Sequence, residues 1–157
     1  MNNIYKFNFD VNEDILLLEY DKIKHTSENY VDRRPGGQAE NWRIIPASFE
    51  YANYLIKYFN LGEARPRFYT LPKNSNIPEH IDDQTKCSIN ILLETNNPAP
   101  VTIEGVDYHY KICLLNTQKI HSVKNTTEDR LLFKLSIFDD DFETVKKKIK
   151  NATNKEN

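Results

Sequence analysis

The spacing of apolar positions changes character near residue 65. Before it, IYKFNF (4–9) alternates as a half-buried strand does, while VNEDILLLEYDKIK (11–24) sets Val11, Ile15 and Leu18, then Leu16, Tyr20 and Ile23, at helical spacing. FEYANYLIKYFN (49–60) gathers Phe49, Ala52, Leu55, Ile56 and Phe59 on one helical face, with Ser48 as the expected N-cap. Between these helices, HTSENYVDRRPGGQAEN (25–41) is polar, aperiodic and broken by Pro35-Gly36-Gly37, which predicts a loop. From Arg65 onward the pattern becomes short alternating runs punctuated by turn residues: ARPRFYTL, CSINILLE, PVTIEG, YKICLLN and RLLFKLSIF. Helices followed by at least five closely spaced strands predict a mostly β fold, a small antiparallel barrel or sandwich with helices packed outside. The final KKKIKNATNKEN is read as a solvated helix end fraying into a disordered basic tail over 151–157.

Length and composition narrow the classes. At 157 residues the chain is long enough for one domain with a real core, placed here over 1–150. A hydrophobic content of 39%, a charged content of 28% and a formal net charge of -2 argue against a nucleic-acid-binding surface. Cys87 and Cys113 both lie inside apolar runs and read as small buried residues, not as a disulfide framework. MNNIYKFNFDVNED has no basic region followed by an apolar core, and no run is long enough to cross a bilayer, so a cytoplasmic protein is expected.

Candidate chemistry begins in IPEHIDDQ. Residues two apart on a strand point the same way, so His80 and Asp82 would face inward from one strand end and share a metal. His121 in QKIHSVKN is the third candidate ligand. Two imidazoles and one carboxylate leave three positions open on an octahedral Fe(II), the arrangement of non-haem oxygenases, although zinc hydrolases use the same donors. Arg130 follows His121 by nine residues and opens the apolar strand RLLFKLSIF. If it points inward, so do Leu132, Lys134 and Ser136, and a buried guanidinium requires an anion. A dicarboxylate chelating a metal at one end would meet Arg130 at the other. The competing readings are plain: PEHIDDQ as a surface turn, and Arg130 paired with Glu128 or Asp129. His25 and His109 are not expected as ligands, and Asn125 is expected to hold the turn after His121. Trp42 packs on the core or covers a substrate, and Lys134 is a substrate contact or a cation at the barrel mouth.

Taken together, His80-Ile81-Asp82 and CLLNTQKIHSVKNTTEDRLLFKLSIF, with His121, Asn125 and Arg130, resemble the Fe(II)/2-oxoglutarate-dependent dioxygenases over roughly residues 65–138. Within them the chain looks most like the aspartyl/asparaginyl β-hydroxylase branch, and the prolyl hydroxylases share the histidine-to-arginine spacing. The resemblance implies a double-stranded β-helix, cupin-like, with iron on His80, Asp82 and His121 and the distal carboxylate of 2-oxoglutarate on Arg130. It also implies that Tyr69 hydrogen-bonds the co-substrate. The implied reaction uses O2 to hydroxylate an unactivated C–H of an amino acid, peptide residue or small metabolite, with 2-oxoglutarate leaving as succinate and CO2.

Two departures stand out. Where the β-hydroxylase branch commonly carries an arginine and a histidine, this chain reads Lys86-Cys87-Ser88-Ile89-Asn90, so Ser88 and Asn90 are expected to line the co-substrate pocket instead. Animal members of that branch also lack the carboxylate ligand that Asp82 supplies. The loop 25–41 is the expected lid, with Arg33 and Arg34 suited to an acidic substrate and Trp42 and Lys134 as further substrate contacts. Two alternatives are a cupin-like metalloenzyme that does not use 2-oxoglutarate and a non-catalytic β-barrel binding module.

Overall fold

Alternation in the C-terminal half becomes two antiparallel sheets in the computed structural model, which describes residues 3–26, 28, 29, 42–94, 96, 98–124 and 126–154. The strands, in chain order, are β1 (Ile4–Lys6), β2 (Glu28–Asn29), β3 (Arg43–Pro46), β4 (Ala64–Leu71), β5 (Ile77–His80), β6 (Cys87–Leu93), β7 (Val101–Ile103), β8 (Val106–Tyr108), β9 (Ile112–Leu115), β10 (His121–Val123) and β11 (Arg130–Ile137). Helices α1 (Glu13–Ile23), α2 (Glu50–Tyr58) and α3 (Phe142–Asn154) accompany them. The large sheet runs β1-β9-β6-β11-β4-β3-β2 and the small one β5-β10-β7-β8. From β4 to β11, strands therefore distribute between the sheets as β4, β6, β9, β11 against β5, β7, β8, β10. That is a double-stranded β-helix, or jelly roll, with β1, β3 and β2 added at the edges of the large sheet.

Strict alternation gives the large sheet two faces with different tasks. On β11, Leu131, Phe133, Leu135 and Ile137 join the main core, with Cys87, Ile89, Ile91 and Leu93 of β6 and Ile112 and Leu114 of β9 beside them. Ala52 and Leu55 of α2, Leu16 of α1, and Val145, Ile149 and Ala152 of α3 close that core from the helical side. The intervening residues face the other way, toward the small sheet: Leu92, Cys113 and Leu115 in one cluster, Tyr69 and Leu71 in another. Each fully buried Leu or Phe contributes about 1.5–3 kcal/mol by transfer from water, so the helical side carries most of the stability.

Several local expectations change. Helix α2 begins with Phe49 in extended conformation at the N-cap and no side-chain capping bond, so Ser48 does not cap it. Ile15 and Leu18 of α1 are exposed, and Leu16 is the α1 residue that is fully buried. Residues 151–154 are helical and not a disordered tail, because Phe142, Val145, Ile149 and Ala152 form a continuous buried stripe on α3. Asp141 starts that helix by accepting the Thr144 amide at 2.9 Å. PVTIEG supplies β7 and then the turn, with positive φ at both Glu104 (47°) and Gly105 (80°), that folds the chain back into β8 as a hairpin. Cys87 and Cys113 are buried free thiols, and burial pushes Cys87 up to about 12. Among the described residues no helix is long and apolar enough to cross a membrane.

Candidate metal centre

Register, not sequence proximity, assembles the site. Strands β5 and β10 pair with His80 directly opposite His121, and the imidazole centroids lie 4.3 Å apart. One extra residue on β5 between this pair and Ile77↔Val123 makes a β-bulge beside the histidines, a common device for re-aiming side chains next to a site. His80 ends β5 rather than opening a strand, and Asp82 follows in the connection to β6. There the Asp82 amide donates to Thr117 O at 3.0 Å and its carbonyl accepts from the Gln118 side chain at 3.1 Å.

The side chains are arranged as a ligand set. His80 Nδ1 lies 2.7 Å from Pro78 O, and His121 Nδ1 lies 2.8 Å from Lys119 O. A carbonyl only accepts, so in the neutral rings both Nδ1 atoms donate and both Nε2 atoms carry the lone pair. Those Nε2 atoms stand 3.4 and 3.5 Å from one oxygen of Asp82, Oδ1. The three candidate ligand atoms all lie within 4.8 Å of one another. Burial alone would raise the Asp82 carboxyl, but Lys134 and the two histidines outweigh it and hold the group well below the ordinary carboxylate range. An ionised oxygen and two imidazole lone pairs converging on one point fit a divalent cation, and the donor types suit both iron and zinc.

Beside the ligands lies a cavity of ≈ 60 Å³ whose lining includes Trp42, Tyr69, Asn90, Tyr110, Arg130 and Lys134 as well as both histidines. Arg130 is 7% exposed and donates to Ala99 O at 2.6 Å and to the Tyr110 hydroxyl at 3.2 Å. The neighbouring carboxylates on the chain are engaged with other groups: Asp129 accepts the Lys73 amide and Glu128 the Asn96 amide, each at 3.0 Å. Asn90 donates to the same Tyr110 hydroxyl at 3.4 Å and accepts from Ser88 at 2.8 Å. Ser88 thus supports the cavity through Asn90. Tyr110, two residues before a fully apolar strand, gives only a weak signal in the sequence, but it is the residue that joins Arg130 to Asn90. Trp42 is buried against Tyr69, 5.6 Å between ring centroids, and 6.2 Å from the His80 ring. Lys134 projects from β11 with Nζ 3.9 Å from Asp82 Oδ2 and 5.0 Å from the Tyr69 ring centre. Desolvation would lower its pKa, but Tyr69 and Asp82 outweigh that and hold it above the ordinary lysine value.

The remaining candidates separate cleanly. His25 and His109 are exposed and away from the triad. Arg33, Arg34 and Asn125, with most of the 25–41 loop, lie outside the described residues.

Solved structures with the same strand arrangement include a prolyl-4-hydroxylase from Pseudomonas putida, with a TM-score of 0.62 and 14% identity over 87% of this chain and 92% of that one. The fold they share is the double-stranded β-helix. A prolyl hydroxylase from Trichoplax adhaerens, solved with a hypoxia inducible factor oxygen degradation domain peptide fragment, gives 0.68 and 14% over 92% and 84%. An oxidoreductase of the 2OG-Fe(II) oxygenase family from Burkholderia pseudomallei gives 0.52 and 12% over 76% and 77%. No protein-family model matches the sequence, and no curated protein matches it.

Proposed function

We propose that the protein is an Fe(II)/2-oxoglutarate-dependent oxygenase that hydroxylates a C–H bond of an amino acid, a peptide residue or a small metabolite. The observation that carries the reading is the His80/Asp82/His121 cluster, whose two histidines line the same cavity as a buried arginine with neutral described partners. His80, Asp82 and His121 would hold iron, with Pro78 and Lys119 carbonyls keeping both Nε2 atoms turned inward. Bound there, iron together with 2-oxoglutarate and O2 would supply the oxidising chemistry, the co-substrate leaving as succinate and CO2. Arg130 would clamp the distal carboxylate, oriented by Tyr110 and Ala99, with Asn90 and Tyr69 along the cavity wall. Trp42 would screen the histidines from water. A cupin-like metalloenzyme without 2-oxoglutarate would leave the Arg130 guanidinium with no anion to meet, which is why that reading ranks second.

The resemblance to the β-hydroxylase branch rests on the His121-to-Arg130 segment, and two of the solved structures that share the fold are prolyl hydroxylases, so the substrate is proposed only as a peptide or small molecule. Anaerobic addition of Fe(II) and 2-oxoglutarate tests the assignment. The expected result is a visible metal-to-ligand charge-transfer band, lost in His80→Ala and weakened in Arg130→Ala. Tight metal binding with no band on adding 2-oxoglutarate would transfer the site to the cupin-like class.

A further inference from the structure

Lys134 is a second cation in the cavity, beside Asp82 and distinct from Arg130. It lies on the same face of β11 as Arg130, four residues further on, so the two backbones are separated by about 13 Å at the usual strand rise. The residue is 8% exposed, yet among the described residues its ammonium donates no hydrogen bond, and its acidic neighbour is Asp82 Oδ2 at 3.9 Å. The aromatic face of Tyr69 at 5.0 Å attracts the charge but accepts none of its three protons conventionally. A buried ammonium in this state is costly unless something carrying acceptor oxygens enters the site. Its position matters: Asp82 Oδ1 faces the histidines while Oδ2 faces Lys134, so the ammonium borders the metal end of the cavity and Arg130 the other end.

We infer that Lys134 is the second anchor of the co-substrate, binding the carboxylate at the keto-acid end while Arg130 binds the distal one. The cavity is thereby matched to a 2-oxo diacid by a cation at each end. The inference rests on the 2-oxoglutarate reading above, and the experiment separates the two. Protein saturated with Mn(II) is titrated calorimetrically with 2-oxoglutarate and, separately, with 2-oxobutyrate, which keeps the keto-acid end and lacks the distal carboxylate. Wild type, Lys134→Met, Lys134→Arg and Arg130→Met are compared after circular dichroism has shown matched folding. Lys134→Met is expected to weaken both acids by about ten- to hundredfold, the worth of one charge-assisted hydrogen bond, with Mn(II) affinity within about threefold of wild type. Lys134→Arg recovers most of that loss, whereas Arg130→Met weakens 2-oxoglutarate and leaves 2-oxobutyrate unchanged. If Lys134→Met binds both acids as wild type does, the anchor is overturned and the oxygenase reading stands. If it loses Mn(II) instead, Lys134 supports Asp82 and does not bind the acid. A Mn(II)-loaded wild type that binds neither acid overturns both readings.

Discussion

Arg130 is held by two neutral acceptors, a backbone carbonyl and a phenol, and that arrangement keeps its charge available while fixing its direction. The Tyr110 hydroxyl receives a second donor, Asn90, so one buried oxygen aligns two cavity groups. Burial raises the pKa of that phenol, with Arg130 pulling the other way, so it stays a neutral hydroxyl at physiological pH. Tyr110→Phe keeps the ring and its 5.8 Å stacking relation to the guanidinium but removes the acceptor from both donors. Leaving buried donors unmatched costs about 1–3 kcal/mol, which urea unfolding of the metal-free variant should register. The same variant should bind 2-oxoglutarate more weakly than wild type by roughly the factor of ten that a loss of about 1.4 kcal/mol represents. A variant with unchanged midpoint and unchanged affinity would show that Arg130 needs no orienting partner.

Helix α3 shows how an element can look disordered by composition and be ordered by periodicity. Its lysines and asparagines suggested a fraying tail, yet Val145, Ile149 and Ala152 reach the main core at helical spacing while Lys147 and Lys150 face solvent. Ile149→Ala should therefore cost about 2–5 kcal/mol in urea unfolding, and Lys147→Ala less than about 0.5. Equal effects would mean that the helix does not pack. The same contrast explains what was legible elsewhere. Runs such as ARPRFYTL and RLLFKLSIF are legible as β4 and β11 because each extends for eight residues against a deep core. The polar, three- and four-residue strands β5 and β10 did not, since their pairing is set by partners about forty residues away. His80, Asp82 and His121 were readable as candidate ligands by residue type; their facing register and the bulge beside them depend on that distant pairing. Tyr110 was missed for the same reason, its partners Asn90 and Arg130 being 20 residues off in either direction.

At the scale of the whole molecule, the large sheet separates the main core from the face that carries the candidate site, and a bound metal would act on them unequally. The small sheet is thin: β5 and β8 are its edges, neither contains a fully buried residue, and β10 spans three residues. Segments with few buried contacts open at low free energy, so in the metal-free protein the amides of β5 and β10 should exchange faster than those of β6 and β11. His80 lies on β5, Asp82 just beyond it and His121 opposite on β10, so any opening of this pair releases the ligands. A cation that binds only the closed form stabilises it by about 2.7 kcal/mol at one hundred times its dissociation constant. Exchange through openings of β5 and β10 should then slow by about a hundredfold, with the Asp82 amide, bonded to Thr117 O at 3.0 Å, as a direct reporter. Helix α1 has one fully buried residue, Leu16, and its local openings leave the triad intact, so its amides should keep their rates. Hydrogen exchange followed by mass spectrometry with and without Mn(II) distinguishes the cases. Protection confined to β5, β10 and their connection to Asp82 places the metal on the triad. Equal slowing of α1 would place the stabilisation elsewhere, and no slowing of β5 would mean that the three side chains, though close, do not bind the ion.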